Sequence, residues 1–396
     1  MSNKLWQSEI ALELHPVVEA YTVGIDYVLD QKLLGYDIEA SKVHAAMLGK
    51  TGILTVAEAS ELIQALNALH KLWSSGKFEV QKEQEDGHTA IEAYLVKQLG
   101  NTGKKIHTAR SRNDQALVMM RLYLKDSLKI VGLKTKEAAK AFTNAAAKAG
   151  KMPMPGYTHM QKAMPTTVAA WLLSYADGLE DALSLINSTL QLIDQNPLGS
   201  AAGFGISLPI DRVHTTKALG FKKTQENPLY CGLSRGLFEL LSVQALNFPM
   251  VLAGKFASDI MLFTTEEFGF FSLPDSFTTG SSIMPHKHNY DLFEVMRGQS
   301  HIFGSYSQQL QSILSGVGSG YHRDLQLTKG ITLNAFETAI STLEVLTLAV
   351  SNLQLHKDKL SQSMTSDMQS VVQINKLVEQ GVPFRDAYVQ VKNGLS

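Results

Sequence analysis

The stretch from Gln115 to about Gly150 constrains the fold most, because it is rich in alanine, leucine and lysine and contains no proline. Alanine, leucine and lysine have high helix propensity, and proline is the strongest helix breaker. We therefore predict one long helix here. At about 1.5 Å per residue, a helix of some thirty residues spans roughly 45 Å, more than the diameter of a small compact domain. Such a helix favours an elongated bundle.

Four further long helices are predicted from apolar residues at i, i+3 and i+4 spacing. They cover Val168–Ile193, Arg235 to about Phe268, Leu292–Leu314 and Leu333–Leu355. Strand-like alternation is almost absent. We predict an all-α protein, an elongated bundle of long helices whose exposed apolar stripes are covered by other subunits.

Composition excludes several classes of function. With 44% hydrophobic and 18% charged residues, the chain can form a soluble core. Its formal net charge of -1 gives no general attraction to nucleic acid or to an anionic membrane. The single cysteine, Cys231, excludes an internal disulfide, and no apolar run is expected to be long enough to span a bilayer. We expect a soluble, cytoplasmic protein with no nucleic-acid or membrane partner.

Polar side chains gather in the irregular segments between the predicted helices. The segments are Asp86–His88, His107–Gln115, Gly156–Gln161, Gly280–Glu294 and Tyr321–Lys329. Functional residues are common on loops that a rigid scaffold holds in place. These segments are therefore candidates for one composite site, although each of them could also be a plain solvated loop.

Two short motifs resemble a phosphate-binding loop and a metal site, but their surrounding residues do not complete either motif. The segment Gly49–Gly52, GKTG, has the end of a phosphate-binding loop, but His44 stands where that motif requires its first glycine. The segment His286–His288, HKH, lacks a spaced set of metal ligands, and its lysine disfavours a cation. We predict neither a metal nor a cofactor.

The segment Gly280–Asn289, GSSIMPHKHN, resembles the signature of the fumarase/aspartase superfamily, whose members eliminate fumarate from succinyl compounds. HTARSRNDQ, GYTHMQKAMPTT and GYHRDLQLTK are similar to segments of the argininosuccinate lyases within that superfamily. The likeness extends from Leu5 to Tyr388, the end of PFRDAY.

The resemblance implies a fold, an activity and an assembly. It implies an N-terminal helical domain over residues 1–107, a central long-helix bundle over residues 108–355 and a short, truncated C-terminal domain over residues 356–396. The implied reaction is the reversible elimination of fumarate from argininosuccinate to give L-arginine, in arginine biosynthesis and without a cofactor. The implied assembly is a homotetramer in which each active site combines loops of three chains.

The elimination removes a proton beside a carboxylate, so that negative charge develops on that carboxylate. Lys287 and the backbone amides around Ser281 could stabilise this charge. From chemistry alone the base would be His159, whose ordinary pKa suits proton transfer near neutrality. The resemblance instead implies Ser281 as the base on a mobile loop. It assigns His159, with Thr158, to substrate positioning or proton donation, and Glu294 to the partner of that histidine.

The resemblance also implies the residues that bind substrate. Argininosuccinate carries three carboxylates and a guanidinium, and arginine and asparagine are planar donors suited to carboxylates. The residues matched to carboxylate binding are Ser111, Arg112, Asn113 and Asn289, together with Thr158. Those matched to the arginine-like end are Tyr321, Gln326 and Lys329. Asp86, His88 and Arg235 match further positions near the site, and for them a structural and a functional role stay open.

The sequence departs from the family pattern in several places. Tyr290 replaces a proline after the signature, His288 stands where a second lysine is common, and Met119 and Met120 lie where an acidic residue is usual. Two alternatives therefore stay open. One is a divergent lyase acting on another N-substituted aspartate, and the other is a non-catalytic, crystallin-like homologue.

Overall fold

The computed structural model describes residues 14–394, and most of these are helical. Leu5, where the resemblance begins, lies outside the described residues. The predicted all-α fold is confirmed. The α-helices are α1 (Pro16–Val23), α2 (Asp26–Lys50), α3 (Val56–Ser74), α4 (Gly87–Leu99), α5 (Asn101–Lys104), α6 (Arg112–Ala149), α7 (Val168–Ile193), α8 (Arg212–Ala218), α9 (Pro228–Leu233), α10 (Leu237–Phe263), α11 (Asp291–Leu314), α12 (Thr328–Ser351), α13 (Lys357–Gln362), α14 (Ser370–Glu379) and α15 (Phe384–Gly394).

Short strands accompany the helices. They are β1 (Pro153–Thr158), β2 (Gln161–Thr167), β3 (Gln195–Asn196), β4 (Lys223–Thr224), β5 (Phe271–Ser272), β6 (Thr279–Gly280), β7 (His288–Asn289) and β8 (Gln354–Leu355). They form two-stranded pairs, β1 with β2, β3 with β4, β5 with β8 and β6 with β7. The prediction of almost no strand missed the β1–β2 hairpin, because three prolines obscured any alternation.

The five predicted long helices are α6, α7, α10, α11 and α12. α6 begins three residues earlier than predicted, at Arg112. α10 ends at Phe263 rather than near Phe268, and α12 runs from Thr328 to Ser351 rather than from Leu333 to Leu355. The 3₁₀ turn Arg323–Leu327 leads directly into α12, so the helix begins inside the segment that its polar residues marked as a loop.

The chain forms two compact units. Unit 1 comprises the described residues up to Ile130, Ile186–Ala245 and Ser305–Phe336, and unit 2 comprises Val131–Leu185, Leu246–Gly304 and the described residues from Glu337 onward. The division falls within all five long helices. The three domains predicted from the family resemblance stay a prediction.

In unit 1, a capping box begins α3, as the residues Thr55 and Glu58 three positions apart favour. The backbone amide of Glu58 donates to Thr55 Oγ1 at 3.2 Å, and the amide of Thr55 donates to Glu58 Oε2 at 3.0 Å. Both amides would otherwise lack partners at a helix N-terminus. The apolar face of α3 then packs into a core with α2 and α4, in which Leu34, Leu62 and Leu66 are fully buried.

In unit 2, aromatic rings make up much of the core. Trp171 stacks on Phe256 and on Phe271, with ring centroids 5.7 and 5.1 Å apart. The Trp171 indole and the Tyr175 hydroxyl both donate to Asp259 Oδ2, at 2.9 and 2.7 Å. Because buried aromatic polar groups need such partners, this carboxylate allows the buried Tyr175 and the half-buried Trp171 to pack side by side.

Met119 and Met120, which replace an acidic residue usual in the family, are core residues of unit 1. Both are buried and pack with Leu33 and Leu333. A carboxylate at either position would lie among apolar neighbours, where its desolvation is costly. The departure at these two positions therefore has a packing explanation.

Two helical segments in the described part of the chain are long and apolar enough to cross a membrane by length and composition alone, Leu237–Phe263 and Arg323–Ser351. The expectation that no apolar run reaches this length was wrong by that measure. In their most apolar windows, 56% and 50% of the residues are buried within the chain. Since core helices of soluble proteins pass the same test, this is weak evidence for a membrane span.

Candidate active site

A cleft of about 210 Å³ in unit 1 brings together most of the predicted substrate-binding residues. The predicted residues that line it are Asp86, His88, Arg112, Asn113, Arg235, Tyr321, Gln326 and Lys329. Three residues predicted to bind substrate have other positions: Ser111, Asn289 and Thr158, the last of which also belongs to unit 2. Ser111 accepts a hydrogen bond from the amide of Asn113 at 3.3 Å, and Asn289 belongs to unit 2.

The wall of the cleft that carries Asp86 and Arg112 is formed by two helix N-termini. Asp86 is the N-cap of α4 and accepts from the Thr89 amide at 2.8 Å and from its hydroxyl at 2.7 Å. Arg112 is the first residue of α6, and its guanidinium donates to Thr89 Oγ1 at 2.9 Å. Burial alone would raise the pKa of Asp86, but the charges of His88 and Arg112 and the Thr89 hydrogen bonds hold that pKa below its ordinary value.

A buried aspartate holds the start of α6 in place. Asp114 Oδ1 accepts from the Ser111 amide at 2.9 Å, and its Oδ2 accepts from the amides of Gly199 and Ala201, both at 3.0 Å. These hydrogen bonds join the predicted polar segment His107–Gln115 to a glycine-rich loop. Arg112 and Asn113 are therefore presented from a rigid backbone.

A second group of residues in the cleft is acidic. Lys329, at the start of α12, donates to Asp26 Oδ1 at 2.7 Å and to Asp30 Oδ1, and both aspartates lie on α2. Asp30 Oδ2 also accepts from the Gly87 amide at 2.8 Å. Because two carboxylates surround one ammonium, this cluster carries a formal charge of -1. Burial raises the pKa of Asp26, and Asp30 raises it further, against the opposing effect of Lys329.

The side of the cleft predicted for the arginine-like end combines an aromatic ring with polar groups. The Arg235 guanidinium lies 4.8 Å from the centre of the Tyr321 ring, a cation–π contact. Gln326 accepts from Arg323 Nε at 3.1 Å and donates to the carbonyl of Thr22 at 3.2 Å. The 3₁₀ turn before α12 is thereby attached to the chain just before α2.

Sequence analysis missed four charged residues that line the same cleft: Asp26, Asp30, Glu85 and Arg323. A signal was present for two of them. Asp26 and Asp30 are four residues apart on one helix, so they share a face, and Asp37 falls on that face eleven residues after Asp26. A polar stripe at helical spacing ordinarily faces water, so this spacing alone does not predict that the aspartates are buried.

The signature segment forms a loop in unit 2 that is closed at its base. β6 pairs with β7 through Thr279 opposite Asn289 and Gly280 opposite His288. Ser281 Oγ accepts from the amides of Met284 at 3.1 Å and of Ile283 at 3.4 Å. Lys287 is exposed, whereas Ser281 and Asn289 are half-buried.

Two departures from the family pattern contribute to the closure of this loop. The Tyr290 hydroxyl accepts from the Leu273 amide at 3.1 Å, and its ring lies 6.3 Å from that of buried Phe293. His288 Nδ1 and Thr278 Oγ1 are 3.4 Å apart. A proline at position 290 has no hydroxyl to offer Leu273, so the tyrosine supplies an anchor of its own.

Thr158 and His159 lie at the tip of the β1–β2 hairpin in unit 2. His159 and Met160 form a two-residue turn with φ of +53° and +62°, and both side chains are exposed. Glu294, the predicted partner of His159, is exposed on the first turn of α11. Among residues 14–394 no ion pair joins His159 to Glu294 within the chain.

The predicted residues thus divide between the two units. The cleft residues and Ser111 belong to unit 1, while Thr158, His159, Ser281, Lys287, Asn289 and Glu294 belong to unit 2. Within the described residues no group of three or more His, Cys, Asp or Glu side chains is arranged to hold a metal ion.

Comparison with known proteins identifies the class. A family model described as Lyase matches residues 16–304, more than half of the chain. Among solved structures, EDDS lyase in complex with formate has a TM-score of 0.81 at 24% identity, covering 96% of this chain and 76% of that one. The class II fumarase of Schistosoma mansoni has a TM-score of 0.76 at 17% identity, covering 94% and 91%. At these identities the likeness concerns the fold.

Curated relatives narrow the class further. The argininosuccinate lyase of Thermotoga neapolitana is 42% identical over 99% of this chain and 98% of its own length. That of Sorangium cellulosum is 40% identical over 99% of this chain and 90% of its own length. The chain therefore belongs to the argininosuccinate lyase family of the fumarase/aspartase superfamily.

We predict that Lys329→Met destabilises the protein by about 3–5 kcal/mol at neutral pH, because it leaves two buried carboxylates without their cation. The loss should become smaller near about pH 5, where the uncompensated carboxylates take up protons more readily. Thermal unfolding as a function of pH measures this. The double variant Lys329→Met/Asp30→Asn should recover part of the stability, and an equal loss at all pH values would contradict this account.

Proposed function

We propose that this enzyme is an argininosuccinate lyase, which splits argininosuccinate into L-arginine and fumarate in the cytoplasm, in the pathway of arginine synthesis. The observation that carries the proposal is the single cleft lined by eight of the eleven residues predicted to bind substrate or to lie near it. The identity of about 42% to curated members over nearly the whole chain supports the same reaction.

The charges of the cleft suit the two ends of this substrate. Arg112, at the positive end of the α6 helix dipole, is a bidentate donor for a succinyl carboxylate. The acidic cluster of Asp26 and Asp30 around Lys329 suits a cation, which argininosuccinate offers as the α-ammonium of its arginine half. Tyr321 and Gln326 lie on the same side of the cleft and complete the proposed arginine end.

We propose that Ser281 removes the proton from the carbon beside a succinyl carboxylate. A serine alkoxide is a strong base but forms only where donors stabilise it, and the amides of Ile283 and Met284 already point at Ser281 Oγ. The electron pair moves onto the carboxylate, where Lys287 stabilises it, and then forms the double bond of fumarate as the carbon–nitrogen bond breaks. His159 supplies the proton to the departing nitrogen, with Thr158 and Asn289 holding the substrate and Glu294 orienting the imidazole.

Replacing Ser281 by alanine should lower turnover by at least about 10²–10⁴-fold, the usual contribution of a positioned base, with binding retained. The assay follows the ultraviolet absorbance of fumarate released from argininosuccinate. Ser282→Ala, one residue along the same loop, is the matched control and should keep activity within a few-fold. Near-native turnover of Ser281→Ala would remove the serine from the mechanism, and no fumarate from the folded native protein would favour a divergent substrate or a non-catalytic homologue.

We propose that the enzyme is a homotetramer and that each active site combines residues of several chains. Two observations support this. The proposed catalytic residues and the cleft residues belong to separate units, and the long helices expose apolar side chains such as Leu173, Leu185, Phe248 and Leu348. Apolar stripes on helices of this length are suited to packing between chains.

Mixing two inactive variants tests the composite site. If Ser281 and Arg112 of one site come from different chains, tetramers reassembled from equal amounts of Ser281→Ala and Arg112→Met chains should regain about a quarter of native activity, because a quarter of the sites would be intact. Each variant reassembled alone is the control. Absence of recovery in tetramers of confirmed mixed composition, or a native protein that is monomeric, would contradict the proposal.

The reverse reaction, which joins L-arginine to fumarate, tests the role of the acidic residues in the cleft. Asp26→Asn makes the cluster with Asp30 and Lys329 neutral, so the KM for L-arginine should rise on the order of tenfold or more, the value of one charge-assisted hydrogen bond. Agmatine keeps the ammonium and should suffer the same loss, whereas delta-guanidinovalerate lacks it and should be unaffected. Asp324→Asn, an exposed aspartate nearby, is the control. An equal rise in KM for all three guanidine compounds would mean that Asp26 does not contact the ammonium.

A further inference from the structure

A buried carboxylate lies directly behind His88. Asp37 lies on α2 and is fully buried, and its Oδ2 is 2.5 Å from His88 Nδ1, while the His88 side chain is only 7% exposed. The second carboxylate oxygen, Oδ1, has no hydrogen-bonding partner among the described residues. His88 is therefore the one hydrogen-bonding partner that the described chain provides for this carboxylate.

We propose that Asp37 is a positioning residue, which holds His88 as an imidazolium with Nδ1 turned inward, so that Nε2 and the Arg112 guanidinium together bind a carboxylate of the substrate. Asp37 lies outside the cleft, and neither the family signature nor the cleft lining assigns it a role. The inference deepens the proposed function and rests on it for the identity of the ligand.

The first support is the cost of burying charge. A fully buried carboxylate without a cation is strongly destabilising, whereas a carboxylate paired with an imidazolium has its charge compensated. Charge-assisted hydrogen bonds are shorter than neutral ones, and the Nδ1–Oδ2 separation lies at the short end of the scale. Since His88 lines the cleft and Nδ1 is occupied by Asp37, Nε2 is the nitrogen left to meet a ligand.

The second support is the charge around the imidazole on each element that packs against it. α2 contributes Asp30 as well as Asp37, and the N-cap of its own helix contributes Asp86. The segment before α6 contributes the opposing charge of His107, and α6 contributes Arg112, which faces Asp86. Arg110, on the same segment, interacts with the charge of Asp37 rather than with the imidazole. Burial lowers the pKa of His88, but Asp37, Asp86 and Asp30 together raise it above its ordinary value.

The raised pKa of His88 sets the direction in which substrate binding depends on pH. Because the pKa of His88 is raised in the folded protein, the imidazolium and its contribution to binding are fully present below the ordinary histidine pKa. They are lost as the pH rises through the raised value. Below that raised pKa the native cleft therefore offers two cations, His88 and Arg112, to one carboxylate.

The Asp86 carboxylate does not cancel these two cations by itself. Its Oδ1 accepts both Thr89 hydrogen bonds, and its Oδ2 lies 3.4 Å from Arg112 Nη1. Glu85 is farther from the same guanidinium nitrogen, at 3.8 Å. A substrate carboxylate can thus approach Arg112 through its remaining donors while His88 Nε2 donates from the α4 side.

The test uses the full-length enzyme with Asp37→Asn, which keeps the shape and removes the charge. We expect the KM for argininosuccinate to rise on the order of tenfold at a pH between the His88 pKa of the variant and that of the native enzyme, the effect of losing one charge-assisted hydrogen bond. It should return towards the native value at lower pH, where the imidazole of the variant is protonated again. We expect kcat to change by less than about threefold, since the proposed chemical groups are untouched.

A direct readout does not depend on activity. In protein labelled at histidine Cε1, the NMR signal of His88, assigned by its disappearance in His88→Gln, should titrate above the ordinary histidine pKa in the native enzyme and below it in Asp37→Asn. Asp126→Asn, an exposed aspartate on α6 in the same unit, is the matched control and should change neither the titration nor the KM. If Asp37→Asn does not fold, the titration of native His88 decides the question alone.

Three outcomes would overturn the inference. The first is a native His88 that titrates below the ordinary histidine pKa, and the second is a KM increase in Asp37→Asn that is the same at every pH. The third is a further KM increase when Asp37→Asn is added to His88→Gln. The last outcome would mean that Asp37 acts other than through His88. Failure of the proposed function gives a different pattern. The raised His88 pKa would persist, and fumarate binding measured by calorimetry would still weaken in Asp37→Asn, although argininosuccinate would not be cleaved.

Discussion

The cleft depends on the carboxylate of Asp30. One of its oxygens accepts the Gly87 amide at the start of α4, and the other binds Lys329 at the start of α12. A single side chain on α2 thus joins three segments that are far apart in the sequence. Because the carboxylate is fully buried and lies beside a second aspartate, its charge must be compensated by Lys329 for the fold to tolerate it.

Buried charge extends along α2 beyond this cluster. Asp30, Asp37, Ser41 and His44 are all buried, and they repeat at the spacing of one helix face. Asp37 pairs with His88, Ser41 accepts from Arg110, and His44 contacts the carbonyl of Thr108. The inward polar face of α2 is therefore the support on which α4 and the segment before α6 are held. This support leaves His88 and Arg112 lining the cleft.

Several features could be predicted from residues close together in the sequence. The capping box at Thr55, the end of α4 at Gly100, and the long helices each depend on local propensity and on the spacing of apolar residues. The roles of Asp26, Asp30 and Asp37 could not be predicted in this way, because a polar stripe on a helix ordinarily faces water. The hairpin that carries His159 was also missed, since its register depends on a two-residue turn with positive φ rather than on alternation.

The sequence by itself determined the helical class, the positions of the polar segments and, through the GSSIMPHKHN signature and the other matched segments, the family of lyases. These properties follow from contiguous residues, for which order along the chain is sufficient. Only the tertiary structure decided that Asp86, Arg112, Arg235 and Lys329 share one cleft, and that the aspartates of α2 lie behind it. The physical reason is that a buried charge is tolerated only beside its partner, and the partners of these aspartates lie some fifty to three hundred residues away in the chain.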